Sequence, residues 1–120
     1  MALIHPSEEK IIEILKMADD GPVVFHNWLK FKPDGGLAAF QKYGEAFDKL
    51  MAPKGVKTIY TGLCQCTLID DVEWDMIAIA EYPQLSVWKE MISSKAYHAI
   101  SHYRDEGVID TRLVGTKQMM

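Results

Sequence analysis

Cysteine is scarce: Cys64 and Cys66 are the only two in 120 residues. They stand two apart in a segment that reads as a strand, where both side chains point the same way and cannot meet disulfide geometry. The pair suits a reducing compartment. A Cys-x-Cys pair can bind metal, but no second pair follows, and two small core residues is the preferred reading. Long apolar runs are missing too. No stretch approaches the roughly 20 residues of a membrane span, and the N-terminus lacks the basic-then-apolar layout of a signal peptide, so a cytoplasmic protein with no membrane partner is expected. Positive charge is also short: thirteen Lys and Arg against seventeen Asp and Glu give a net charge of −4, which argues against nucleic acid as a partner. Phosphate loops, dinucleotide fingerprints and nucleophile elbows are absent, which disfavours nucleotide chemistry and acyl-enzyme hydrolysis, and no organic cofactor is expected.

What is present is a chain 48% hydrophobic and 25% charged, long enough to bury its own core. Ile11, Ile12 and Leu15 at helical spacing, with Ser7 as N-cap and acids in the first turn, predict a leading helix over residues 6–17. Gly21-Pro22 closes it. The run V-V-F-H-N-W-L-K-F-K then sorts under period two into Val23, Phe25, Asn27, Leu29 and Phe31 on one face, and Val24, His26, Trp28, Lys30 and Lys32 on the other. The first face should meet the helices of its own subunit, and the second suits a surface covered by another subunit. Leu37, Phe40, Tyr43, Phe47, Leu50 and Met51 predict a second helix ending near Pro53.

Residues 56–69 and 74–82 read as an antiparallel hairpin across Asp70-Asp71, and Ser86 as the cap of a third helix that breaks near Ser93-Ser94. A last strand follows over residues 108–116. The order is β-α-β-β-α-β, a ferredoxin-like α+β fold over residues 21–120, with residues 1–20 as an extra N-terminal helix. One sheet with its helices on a single face leaves the other face bare, and apolar residues there point to a homodimer.

The strand G-P-V-V-F-H-N-W-L-K-F-K, the helix with Tyr43-Gly44, the hairpin ending W-D-M-I-A-I-A-E-Y-P, the S-S-K-A-Y segment, Arg104 and the closing D-T-R-L-V-G-T carry a likeness over about residues 21–116. Together they resemble a bacterial family of unassigned function in the dimeric α/β-barrel superfamily. Its relatives include antibiotic-biosynthesis monooxygenases without cofactor, small polyketide cyclases, muconolactone isomerase and haem-degrading enzymes. The resemblance implies a homodimer whose sheets form a barrel, with a ligand pocket between each sheet and its helices, and no particular reaction. It also implies functional positions at Asn27, Glu81, Tyr97 and Arg104. Haem-degrading relatives need an iron-ligating His, and the resemblance assigns none of His26, His98 and His102 to that position.

Glu81 ends an apolar strand, a setting that raises a carboxyl pKa and makes a general base, unless Arg104 pairs with it as a structural ion pair. His26 is an interface residue or, if it enters the pocket, a proton-transfer group. Asn27 cannot take a proton but can donate to an oxyanion or enolate. Tyr43 and Tyr97 can orient a ligand by their hydroxyls, and Arg104, with Arg112 as a second positive point, can anchor an anion. His98 and His102, four apart on a helix, would bind metal only with a third ligand. The leading expectation is a small-molecule enzyme acting on a small aromatic, lactone or polyketide-like compound by isomerisation, cyclisation or oxygenation. The alternatives are a non-catalytic small-ligand-binding or stress-related accessory protein, and a haem or metal binder.

Overall fold

The computed structural model describes residues 4–19 and 21–120. Of the expected N-terminal unit, residues 1–3 and 20 lie outside the described residues. Helix α1 (Glu8–Leu15) begins where expected: Ser7 is extended and its hydroxyl accepts the Lys10 amide at 3.2 Å. Strand β1 (Val23–Phe31), helix α2 (Gly36–Met51), a short 3-10 turn (Ala52–Lys54), β2 (Lys57–Leu63) and β3 (Met76–Tyr82) follow. Helices α3 (Leu85–Ser93) and α4 (Lys95–Gly107) and strand β4 (Val108–Thr116) complete the chain.

The sheet order is β2-β3-β1-β4 and every pairing is antiparallel. Each β-α-β crossover therefore joins two parallel strands with a third strand between them, the split arrangement of the ferredoxin-like fold. The period-two reading of β1 holds: Phe25, Leu29 and Phe31 are buried against the helices, and Leu29 is fully enclosed. Phe25 stacks on Trp88 at 5.5 Å, and Phe40, Tyr43 and Phe47 continue the aromatic core along α2.

One close backbone approach sets the helix layer. Gly36, at the start of α2, and Gly107, at the end of α4, touch so tightly that a Cβ on Gly107 would stand 2.5 Å from the Gly36 carbonyl oxygen. The break between α3 and α4 falls where the serine pair suggested, with Ser94 extended and its hydroxyl accepting the Tyr97 amide at 3.1 Å.

Three local expectations are corrected. Strand β2 stops at Leu63 instead of continuing to Ile69, so Cys64 and Cys66 lie beyond it, half-buried and exposed, and are not core residues. Strand β3 starts at Met76, because Trp74 turns aside: its indole donates to Asp70 Oδ2 at 2.9 Å and its ring meets Trp28 edge-on. Ser86 does not cap α3, which opens at Leu85; the carboxylate of Asp19 reaches across and accepts the Leu85 amide at 2.9 Å.

Among the described residues no helix covers the other face of the sheet. Ladder register sends Val24, His26, Trp28, Tyr60, Ile77, Ile79, Glu81, Arg112 and Val114 to this side. Trp28, Tyr60 and Val114 on this side are 40, 56 and 57% exposed.

Candidate functional site

Between the sheet and its helices lies a cavity of about 960 Å³. Its apolar wall comes from Phe25 and Met76 on the sheet, Phe40 and Phe47 on α2, and Trp88 and Met91 on α3, and Gln41, Glu45 and Asp48 of α2 line it as well. Helix α4 contributes Tyr97, His98, Ser101, Arg104 and Asp105, a spacing of one helical stripe. Of the catalytic and substrate-binding candidates from the sequence, four line this cavity, Asn27, Tyr43, Tyr97 and Arg104, and so does His98, considered there as a metal ligand.

Each of the four is held. Thr111 on β4 sits opposite Leu29 on β1, and its hydroxyl lies 2.8 Å from Asn27 Oδ1 and 2.7 Å from the Trp28 carbonyl oxygen. The one hydroxyl proton of Thr111 is shared between these two acceptors, and the Asn27 carboxamide it anchors carries an NH2 donor beside its oxygen in the cavity lining. The hydroxyls of Tyr43 and Tyr97 lie 2.8 Å apart, joining α2 to α4 across the cavity floor. Burial, and after it the neighbouring Tyr97, pushes the Tyr43 phenol well above its ordinary range. Burial also raises Tyr82, whose hydroxyl rests on the Met91 sulfur at 3.6 Å. The phenols are thus donors and acceptors, not bases. Arg104 is half-buried, close enough for its charge to reach Tyr43, and donates through Nη1 to the Ile4 carbonyl oxygen at 2.7 Å.

These raised phenols have a consequence for stability. Because the folded pKa lies above the unfolded one, their contribution is complete below the ordinary tyrosine value of about 10 and is lost as pH rises beyond it. Tyrosinate absorbance followed against pH should show two phenols that ionise only as the protein unfolds.

Glu81 and His26 stand elsewhere. Glu81 pairs with Val24 and Lys57 on the helix-free face, so the sheet separates its carboxylate from Arg104 and the anticipated ion pair does not form. A strand's alternation is the reason, since Tyr82, its neighbour, takes the buried side. His26 points to the same outer face, where its Nε2 is 2.9 Å from the Thr116 hydroxyl. Arg112 is also outside, bonded to Asp110 at 2.6 Å and lying over the Trp74 ring. His98 and His102 have separate partners, the Ile92 carbonyl oxygen at 2.9 Å and Glu106 at 3.0 Å. Among the described residues no group of three His, Cys, Asp or Glu is arranged to hold a metal ion.

The sequence reading did not single out Thr111, Ser101, or Ile11 and Leu15 of α1 as parts of this site. The 97-101-104 spacing on α4 was a usable signal for Ser101.

The architecture is that of a ferredoxin-like α+β protein. The chain is similar to a protein of unknown function from Rhodopseudomonas palustris, 28% identical, over 100% of this chain and 99% of that one, with a TM-score of 0.90. It also shares its fold with a dabb-family protein from Mesorhizobium loti, 11% identical over 84% of this chain and 100% of that one, TM-score 0.61. A third likeness is to a candidate antibiotic-biosynthesis monooxygenase from Caulobacter crescentus, 12% identical over 83% of this chain and 92% of that one, TM-score 0.57. Other neighbours with this fold are described as dimeric, among them a protein from Bacteroides fragilis, 18% identical over 84% of this chain and 100% of that one, TM-score 0.59. No protein-family model and no curated protein matches the sequence. No helix among the described residues is long and apolar enough to cross a membrane.

Proposed function

We propose that the protein is a small-molecule enzyme that holds an aromatic, lactone or polyketide-like compound in this cavity by a carbonyl or anionic oxygen. The observation that carries the reading is the convergence of Asn27, the Tyr43–Tyr97 hydroxyl pair and Arg104 on one cavity that also has the apolar side chains of Phe25, Phe47 and Trp88 in its walls. Such a set of donors favours whichever state of a ligand places most negative charge on oxygen, an enolate or a tetrahedral oxyanion. Isomerisation, cyclisation and oxygenation of such compounds all pass through states of that kind.

With Glu81 and His26 on the far side of the sheet, the proton carrier best placed is His98 at the cavity edge. A carbonyl oxygen only accepts, so the bond to Ile92 places a proton on Nε2, and Nδ1 is the ring nitrogen left to exchange a proton with a ligand. The displaced carboxylate and imidazole also favour a second reading, a binding protein that uses the same donors without chemistry.

The two are separated with 1-naphthoate and a small β-diketone as probes. The naphthoate should quench tryptophan fluorescence and raise the unfolding temperature. Arg104→Gln should weaken it by about tenfold or more and Tyr97→Phe by about fivefold, in line with a charged and a neutral hydrogen bond. An enzyme should also speed deuterium exchange at the diketone's acidic carbon, and His98→Gln should abolish this while leaving naphthoate binding intact. Binding without exchange selects the second reading, and no binding of either probe overturns both.

The same proposal includes a homodimer in which two helix-free faces pack together. The apolar patch around Trp28, Tyr60 and Ile77 supports it, as does the description of fold neighbours as dimeric.

A further inference from the structure

Arg104 belongs to two systems at once. It faces the cavity, and its Nη1 also donates to the carbonyl oxygen of Ile4, in the segment leading into α1. That segment runs across the cavity, because Ile11 and Leu15 of α1 line it together with His5 and Pro6. Yet no residue of α1 is buried.

The strap is held near its ends by polar contacts. His5 meets Asp105 at 3.5 Å, Lys89 donates to the Met17 carbonyl oxygen at 2.7 Å, and Asp19 accepts the Leu85 amide at 2.9 Å. A helix tied in this way, with its apolar side over a cavity, opens at small cost.

The geometry points to the Ile4 carbonyl as a stand-in for a ligand's anionic oxygen on Arg104, so that an apolar carboxylate exchanges with it and loosens the strap as it enters. This rests on the reading of the cavity as the ligand site, and names the ligand class and the segment that responds to it. The chemistry of the two acceptors decides the direction. A peptide carbonyl is neutral and offers one oxygen, whereas a carboxylate is charged and matches the planar guanidinium with two, making bonds about twice as strong. Arg104 is thus covered by a weaker acceptor of its own chain, and the cover lowers the apparent affinity by the fraction of time it is in place.

Hydrogen exchange on the full chain, read by mass spectrometry over residues 8–15, tests the exchange of acceptors, with 1-naphthoate as probe and neutral 1-naphthamide as its control. The carboxylate should speed exchange in α1 several-fold, and the amide, which fills the same apolar space, should not. Lys89→Met, which cuts the tie at Met17 without touching Arg104, should speed α1 exchange in the free protein and tighten naphthoate binding by about threefold to tenfold. Naphthoate binding with unchanged or slower α1 exchange, or equal effects of acid and amide, overturns the inference and leaves the ligand site standing. Unaltered affinity in Lys89→Met also overturns it. Failure of naphthoate to bind either protein removes the site and the inference together.

Discussion

Ile77→Asp is expected to turn the proposed dimer into a monomer. Ile77 lies between Trp28 and Gly62 in the ladder, on the helix-free side, so a carboxylate there is hydrated in the single chain and costs the fold little. In a twofold assembly each subunit brings one such charge into the same interface, unpaired and facing its twin. An uncompensated buried charge costs about 3–5 kcal/mol, which corresponds to a loss of at least a hundredfold in dimer affinity. Sedimentation at micromolar concentration should give one species of half the mass, with the circular dichroism spectrum unchanged. A variant that still sediments as the parent does would place the dimer interface somewhere other than the sheet.

The second large effect concerns the helix layer. Gly107→Ala should lower stability by about 2 kcal/mol, and the unfolding temperature by about 8 °C. The new methyl group would meet the Gly36 carbonyl oxygen at 2.5 Å and the Ala39 Cβ at 3.2 Å, with backbone on the nearer side and no flexible side chain to yield. Gly107 has no positive φ, so backbone strain is not the cause, and the better helix propensity of alanine offsets only part of the clash. Gly44→Ala in α2 is the contrasting case. Nothing lies within 4 Å of its added Cβ, and a gain of about 0.5–1 kcal/mol is expected in thermal unfolding.

The difference between these glycines marks how far the sequence was legible. Both stand in helical pattern, and only the crossing of α2 over α4 separates them. Periodicity located the elements well because apolar faces must be buried: β1 divided correctly, β4 ran over its expected residues, and the Ser94 break fell in place. Loops were read less well, since Trp74 and the 64–75 segment follow an aspartate turn and an indole contact that no period encodes.

In the site, Asn27, Tyr97 and Arg104, three of the four positions the resemblance implied, line one cavity together with Tyr43, and Glu81, the fourth, does not. Glu81 lies outside the site for a simple reason: its apolar neighbours along the chain are not its surroundings, because in a strand the next residue faces the other way. Local context along the chain is a poor guide to dielectric environment across a sheet. Thr111, which fixes the Asn27 amide, stands 84 residues away from it and had no local mark.

The strap over the cavity gives this protein a division of labour. The buried core draws on β1, α2, β3, α3 and β4, whereas α1 adds only the partly buried Ile14 at its edge. Substitutions at Ile11 or Leu15 therefore reshape what the cavity admits while drawing little on the stability that most binding-site changes consume. A short helix of this kind is a region in which ligand preference can drift, between related proteins or under laboratory selection, with the rest of the molecule held constant.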